Sequence, residues 1–200
     1  MKKIVIFLLI ILFSYSYSAK IFAYSSDPEQ FINELVMDAI EKLSNKDLTK
    51  DQKADFISEI ALENVDINAL GLYTLGEIRK SSEKEDVARY QSIFKLYFLK
   101  SLTSRLSDYS SSKFEVTGAE KKSSNYTIVN TKVIPGSGEP EIKIDWRVYT
   151  KNPDKPLIRD LIVEGLSLAR TQKEEFASIL SSNDDDINNL IIKLKEFVNN

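Results

Sequence analysis

The 200-residue chain contains no cysteine and no histidine, and these two absences restrict the chemistry available to it. Without cysteine the chain forms no disulfide and has no thiol nucleophile. Without histidine it lacks the most common general base, the Ser-His-Asp triad and any zinc site built on His or Cys. The remaining classes are a binding or carrier protein, or an enzyme that works with carboxylates, Lys, Ser or Tyr.

The chain also lacks an excess of basic residues. Its 27 Lys and Arg against 30 Asp and Glu give a net charge of −3, which argues against nucleic acid as a partner. Hydrophobic residues are 42% and charged residues 28% of the chain, as in globular proteins. A chain of this length forms one ordinary domain, or two small ones, with a sizeable core.

The N-terminus contains the longest hydrophobic run. Two lysines after Met1 precede ten apolar residues, Ile4 to Phe13, and small residues follow them. This order predicts a secretory signal peptide over residues 1–18, with cleavage possibly as late as residue 23. The alternative is an uncleaved anchor, but a membrane-spanning helix needs about twenty apolar residues. Removal of residues 1–18 leaves 25 basic against 30 acidic residues, so we expect an exported, acidic protein.

The first half of the exported chain has the periodicity of helices. Asp27-Pro28 predicts the start of the first helix, and the capping box Thr49 to Gln52 predicts the start of the second. A third helix is predicted over Ile67 to Leu75, ending at Gly76. A second capping box, Ser82 to Glu85, predicts the longest helix, which continues to about Tyr109.

After residue 112 the period changes to two, which predicts four strands over residues 113–118, 126–134, 141–150 and 157–163. Their short connections, rich in Gly, Pro and Asn, indicate antiparallel hairpins. The third strand alternates cleanly, whereas the fourth is apolar on both sides and its inward face cannot be assigned. Helices return over residues 168–180 and 186–197. The predicted fold is α+β: N-terminal helices, a central four- to five-stranded antiparallel sheet and C-terminal helices, in one domain over residues 27–198.

Few motifs indicate catalysis. Ser81 to Lys84 and Ser110 to Lys113 match S-x-x-K without its partner motifs, and Gly136 to Gly138 is typical of a hairpin tip. Asp184 to Asp186 lacks the spacing of a calcium loop, and is better explained as a helix cap.

Three carboxylates, Asp145, Asp160 and Glu164, are the only acidic cluster that could perform general acid–base chemistry. Asp145 points outward in the alternation, and Asp160 interrupts an apolar strand, so a structural role is favoured for them. We therefore expect no catalytic residue, no metal site and no cofactor.

Four segments resemble a known family. They are Gly71 to Gly76, Tyr90 to Tyr97, Val163 to Leu168 and Phe176 to Leu180. In order and spacing, together with the signal peptide, they are similar to MlaC, also called the toluene-tolerance auxiliary proteins. This family is the periplasmic phospholipid-binding component of the bacterial system that maintains outer-membrane lipid asymmetry. The resemblance covers roughly residues 28 to 197.

Three positions depart from the family pattern. Pro156 stands where the family usually has an aromatic residue, often Trp. Gln172 and Lys173 replace a Tyr-Arg pair, and lysine lacks the bidentate phosphate geometry of arginine.

The resemblance implies a periplasmic shuttle that holds both acyl tails of one phospholipid in an apolar cavity between helices and sheet. The implied partners are an inner-membrane ABC transporter with an MCE-domain protein and an outer-membrane lipoprotein–porin complex. Face assignment and resemblance together predict the lipid-lining residues, which are Leu72, Tyr73, Leu75, Phe94, Phe98, Leu102, Val129, Val133, Ile142, Ile144, Trp146, Ile162, Leu166 and Leu168. Two alternatives are an exported interaction or structural protein with a filled core, and an enzyme that uses Asp160 or Glu164.

Overall fold

The computed structural model describes residues 24–106, 113–135 and 140–200. The predicted signal peptide over 1–18, its cleavage region to residue 23, the end of the long helix near Tyr109 and the hairpin tip at 136–138 lie outside the described residues. Within the three described ranges, each helix is too short or too polar to cross a bilayer.

The described chain is α+β, as predicted, with helices on both sides of the sheet in sequence. The helices are α1 (Pro28–Ser44), α2 (Lys50–Asn64), α3 (Ile67–Leu75), α4 (Lys84–Leu106), α5 (Leu168–Ser181) and α6 (Ile187–Asn199), with a 3-10 turn at Gly76–Lys80. The strands are β1 (Lys113–Ser123), β2 (Tyr126–Ile134), β3 (Ile142–Tyr149), β4 (Leu157–Val163) and β5 (Leu166–Ser167). They form one antiparallel sheet in the order β1-β2-β3-β4-β5.

Side-chain caps explain most helix starts. The carboxylate of Asp27 accepts the N–H groups of Glu29 and Gln30, and Thr49 with Gln52 forms the predicted capping box. The capping box predicted at Ser82 is wrong. The α4 helix begins at Lys84, because the preceding 3-10 turn holds Ser82, whose hydroxyl donates to the carbonyl of Ile78 at 2.9 Å.

Strands β2 and β4 have the predicted bounds, and β1 extends five residues beyond the predicted end at residue 118. Register shifts at Val116/Gly118 and Lys121/Ser123 keep β1 paired with β2 over this added length. Such bulges interrupt the two-residue alternation, so the pattern alone underestimates the strand.

Buried apolar residues form three clusters. The helical core joins α3, α4, α5 and α6 around Tyr90, Phe94 and Phe176. The sheet core packs Phe31, Ile32 and Leu35 of α1 on β2, β3 and β4, and the N-terminal cluster joins α1 and α2. Helices α1, α3 and α5 contact the sheet, whereas α4 packs mainly on α2, α3 and α6. The longest helix is therefore held chiefly by other helices.

Candidate functional site

The side of the sheet that packs on α1, here called the inner face, continues beyond the sheet core. Residues opposite each other in antiparallel strands share a face, so the register identifies its members. Val133 pairs with Ile142, Ile144 pairs with Val163, and Val163 pairs with Leu166. These five side chains form what we call the open end of the inner face. The first four are half-buried, and Leu166 is 68% exposed.

Two polar groups beside the open end satisfy each other. The hydroxyl of Thr131 donates to the carbonyl of Ile144 at 2.7 Å and accepts the indole N–H of Trp146 at 3.0 Å. Thr131 is itself buried, so neither group needs a ligand or solvent as its partner. The surface they leave is apolar in character.

Helix α4 supplies the other half-buried apolar residues. Phe98 packs against the helical core, and Leu102 packs against the N-terminal cluster, yet both retain partial exposure. Every residue from Tyr97 to Thr103 is half-buried. Because side chains on a helix point in all directions, this part of α4 is only loosely covered on each side.

The structure divides the fourteen predicted lining residues among several environments. Leu75 and Phe94 are buried in the helical core, Val129 is buried in the sheet core, and Phe98, Leu102 and Trp146 pack at the edges of the three clusters. Val133, Ile142, Ile144 and Leu166 come together at the open end. Leu72, Tyr73 and Leu168 are exposed on α3 and α5.

Ile162 lies on the opposite side of the sheet from the other predicted sheet residues. It pairs with Asp145, whereas Leu161 pairs with Trp146 and Val163 with Ile144. A register shift between Arg147 and Val148 fixes which parity of β4 faces inward. Sequence reasoning therefore did not place Val163 on the inner face, because a strand that is apolar on both sides carries no local signal of its inward face.

The acidic cluster has structural partners. Asp160, 4% exposed, accepts the hydroxyl of Ser167 at 2.6 Å and the backbone N–H of Ala169 at 3.0 Å. Arg147 lies 3.4 Å from the same carboxylate. Asp160 thus satisfies the start of α5, a helix end that needs acceptors.

The two other carboxylates are also engaged. Asp145 accepts the amide of Asn130 at 2.8 Å, and Glu164 accepts the backbone N–H of Lys143 at 2.5 Å. Among the described residues, no group of three or more carboxylates is placed to hold a metal ion.

Cavities border the described helices, and two of them bear on the predicted site. The larger, about 530 Å³, lies between the end of α3 and α5, and Leu75 is the one predicted lining residue that borders it. Lys173 also borders it and lies 5.3 Å above the ring of Tyr73. The smaller, about 120 Å³, is lined by Leu43, Leu48, Lys50, Lys53, Ala54, Ile57 and Thr103.

The two residues that replace the family's Tyr-Arg pair have partners inside the chain. Gln172 accepts the hydroxyl of Tyr97 at 2.8 Å, which ties α5 to α4. Lys173 stacks on Tyr73, as above, and Pro156 is buried at the start of β4.

Comparison with known proteins gives a family and a fold. A family model described as MlaC protein matches residues 33–196 of the chain. No curated protein matches the sequence at a significant level. Among solved structures, the chain is similar to the phospholipid-binding protein from Ralstonia solanacearum in complex with a phospholipid. The two are 17% identical with a TM-score of 0.69, over 84% of this chain and 94% of that one, which indicates a shared fold.

Proposed function

The chain belongs to the MlaC family, and from this premise we propose that it binds one phospholipid and carries it between membranes. The observation that carries the proposal is the open end of the inner face. Four half-buried aliphatic side chains and the exposed Leu166 form an apolar surface, and the polar groups of Thr131 and Trp146 beside it are hydrogen-bonded within the chain. A surface of this kind suits acyl chains, which make no hydrogen bonds.

We propose that the acyl tails occupy a cleft between the open end and the last described turns of α4. Val133, Ile142, Ile144 and Leu166 would contact them from the sheet, and Phe98 and Leu102 from the helix. Leu75, Phe94 and Val129 are already packed in the cores, so contact with the lipid would require movement of their neighbours. Exposed Leu72, Tyr73 and Leu168 would lie nearer to the rim.

The energetics favour a carrier over a free lipid. Roughly thirty methylenes at about 0.8 kcal/mol each keep a two-tailed phospholipid out of water by some 24 kcal/mol. A protein that moves it must offer a comparable apolar environment, and it then releases the lipid where a membrane complex accepts it. This need is met by adaptable apolar side chains, and the engaged partners of Asp160 and Glu164 are consistent with a non-enzymatic role.

We further propose that the protein works in the periplasm after cleavage of its signal peptide. Its partners would be those of the family: an inner-membrane ABC transporter with an MCE-domain protein, and an outer-membrane lipoprotein–porin complex. In this role it would help to maintain outer-membrane lipid asymmetry.

The direct test is native mass spectrometry of the exported chain purified without detergent, with analysis of an organic extract. We expect an added mass of one phospholipid. A protein that is free of lipid, and that takes up none from liposomes, would mean that the cleft is filled by side chains and that the chain is an interaction protein.

A pair of neighbouring substitutions locates the lipid. Ile144→Glu places a charge at the open end and should abolish lipid co-purification, as should Phe98→Glu on α4. Lys143→Glu, on the adjacent exposed position of β3, is the control and should leave lipid content unchanged. Circular dichroism checks that each variant is folded, and unchanged lipid in both Ile144→Glu and Phe98→Glu would overturn the cleft assignment.

A further inference from the structure

Two lysine-rich helix ends meet the last described turns of α4. Lys100 donates to the carbonyl of Val198 at 3.0 Å and lies 5.8 Å above the ring of Phe197, both near the end of α6. Three residues further along α4, Thr103 borders the small cavity together with Lys50 and Lys53 at the start of α2. Because residues 100 and 103 are one turn apart, the start of α2 and the end of α6 belong to one region of the surface.

We call this region, residues 50–53, 100–103 and 193–199, the basic end. It contains five lysines against Asp51 and Glu196, a local charge of +3, in a chain whose net charge is −3. Helix stability explains only part of this. Lys193 pairs with Glu196 at 3.1 Å, but Lys50 stands at the first position of α2, where the helix dipole disfavours a cation.

Apolar side chains are exposed in and beside the basic end. Phe197 is 42% exposed, and Leu96 and Ile192 are 51% and 50% exposed. Arg89 donates to Asn188 at 2.7 Å, and Leu96 lies seven residues after Arg89 while Ile192 lies four after Asn188. These spacings place both side chains on the same side of the helix pair as that hydrogen bond. Exposed apolar residues among lysines are the composition of a surface that lies at a membrane interface.

We propose that the basic end docks the protein onto an anionic phospholipid surface. Charge complementarity selects this occupant, since lysines near a bilayer are attracted by anionic headgroups and the exposed apolar side chains can enter the interface. The acidic remainder of the chain is repelled, so contact is confined to this end and is reversible. The same turns of α4 carry Phe98 and Leu102, so docking brings the proposed cleft to the bilayer. The role of docking in lipid transfer rests on the proposed function, but the binding of the basic end to an anionic surface does not.

The experiment is co-sedimentation of the exported chain with vesicles of phosphatidylcholine, with and without phosphatidylglycerol, over a series of salt concentrations. We expect binding only to the vesicles that contain phosphatidylglycerol, and weaker binding as salt rises. The double variant Lys50→Glu/Lys195→Glu should bind at least about tenfold more weakly.

The matched control is Lys151→Glu/Lys155→Glu, which makes the same change of net charge at exposed positions between β3 and β4. It should retain the affinity of the unaltered chain to within about twofold, because charges far from the contact are screened. Urea unfolding of all three proteins shows that the substitutions leave the fold intact.

Three results would overturn the proposal: no binding of the unaltered chain to anionic vesicles at low salt, equal loss in both double variants, or no loss in either. The first would make an acidic protein or a second copy the better occupant. Native mass spectrometry of the same samples separates this proposal from the proposed function. Lipid that co-purifies without vesicle binding rejects only the docking surface, and vesicle binding without bound lipid rejects only the carrier.

Discussion

The helical core and the open end of the inner face are both apolar, but only the first has fully buried side chains at its centre. In the helical core, Tyr90 is 0% and Phe176 2% exposed, and the two rings meet edge to face with centroids 6.3 Å apart. At the open end, Ile144 keeps part of its surface exposed and Leu166 keeps 68%. An apolar face shows which side of an element is kept from water. The elements that pack on that face decide whether other side chains cover it or leave it open to a ligand.

Truncating a side chain in each region should show the contrast most strongly. Phe176→Ala leaves a large cavity in a region that cannot collapse easily, so we expect the free energy of unfolding to fall by about 3–5 kcal/mol. Ile144→Ala in the lipid-free protein should cost about 1 kcal/mol, because the side chain is only partly removed from water by folding. Urea denaturation at neutral pH measures both, and equal losses would mean that the open end is a packed core.

Bound lipid sharpens the same comparison. A ligand that binds only the folded state stabilises it, so the lipid-loaded protein should unfold at higher urea concentration than the lipid-free protein. The cost of Ile144→Ala should then grow, while that of Phe176→Ala stays constant. If each substitution lowers the free energy of unfolding by the same amount with and without lipid, Ile144 does not contact the lipid.

Tight packing in the helical core leads to a further prediction, which concerns Gly71. A Cβ added there would lie 2.1 Å from Oε1 of Gln91 and 2.9 Å from Cδ1 of Phe94. We expect Gly71→Ala to lower the free energy of unfolding, because overpacking costs about 1–3 kcal/mol and a helical alanine returns only about 1 kcal/mol.

The control for this prediction shortens the neighbour. In Gly71→Ala/Gln91→Ala the nearest clashing atom is absent. The free energy of unfolding that Gly71→Ala costs should therefore be smaller when it is measured against Gln91→Ala than when it is measured against the unaltered chain. A Gly71→Ala protein that is as stable as the unaltered chain would show that α3 and α4 can move apart, and the helical core would then resemble the open end.

The sequence predicted the helices and strands better than it predicted which face of each strand points inward. Asp27-Pro28, the Thr49 capping box and the turn residues are local signals, and they gave most element bounds to within a residue or two. The alternation of β3 likewise identified its inward face. The inward parity of β4 depends on the register shift opposite Arg147, a tertiary feature with no local signature, so the sequence could not show that Val163 rather than Ile162 lies on the inner face.

Periodicity also could not show that α4 packs chiefly on helices. The aromatic spacing of Tyr90, Phe94 and Phe98 is the same whether a sheet or other helices cover that face. Only the structure separates Phe94, which is 2% exposed, from Phe98, one turn further along, which is half-buried. The resemblance carried by the order and spacing of segments pointed to the MlaC family, which single residues could not do.

The smallest expected effect concerns one buried hydroxyl. Tyr90 is fully buried, and its hydroxyl lies 2.9 Å from that of Thr74. Tyr90→Phe removes this hydrogen bond, but Thr74 keeps the carbonyls of Leu70 and Gly71 as acceptors. We expect a loss of about 0.5–1.5 kcal/mol at neutral pH, measured by urea denaturation.

The pH dependence of the free energy of unfolding tests the burial of the Tyr90 hydroxyl more closely. Burial raises the pKa of Tyr90 well above its ordinary value of about 10, although the hydrogen bond with Thr74 acts in the opposite direction. Below pH 10 the hydroxyl is protonated in both the folded and unfolded states and adds no pH dependence. Above pH 10 the unfolded state loses the proton first, so the stability of the folded state falls as pH rises.

The difference in free energy of unfolding between the unaltered chain and Tyr90→Phe should therefore become smaller as the pH is raised from 8 to 10.5. Tyr24, whose pKa is also raised by burial, contributes equally to both proteins and cancels in the difference. A gap that is constant with pH would mean that water reaches the hydroxyl of Tyr90. In that case the helical core is as accessible to water as the open end, and the contrast between a buried and a half-buried apolar region would no longer hold.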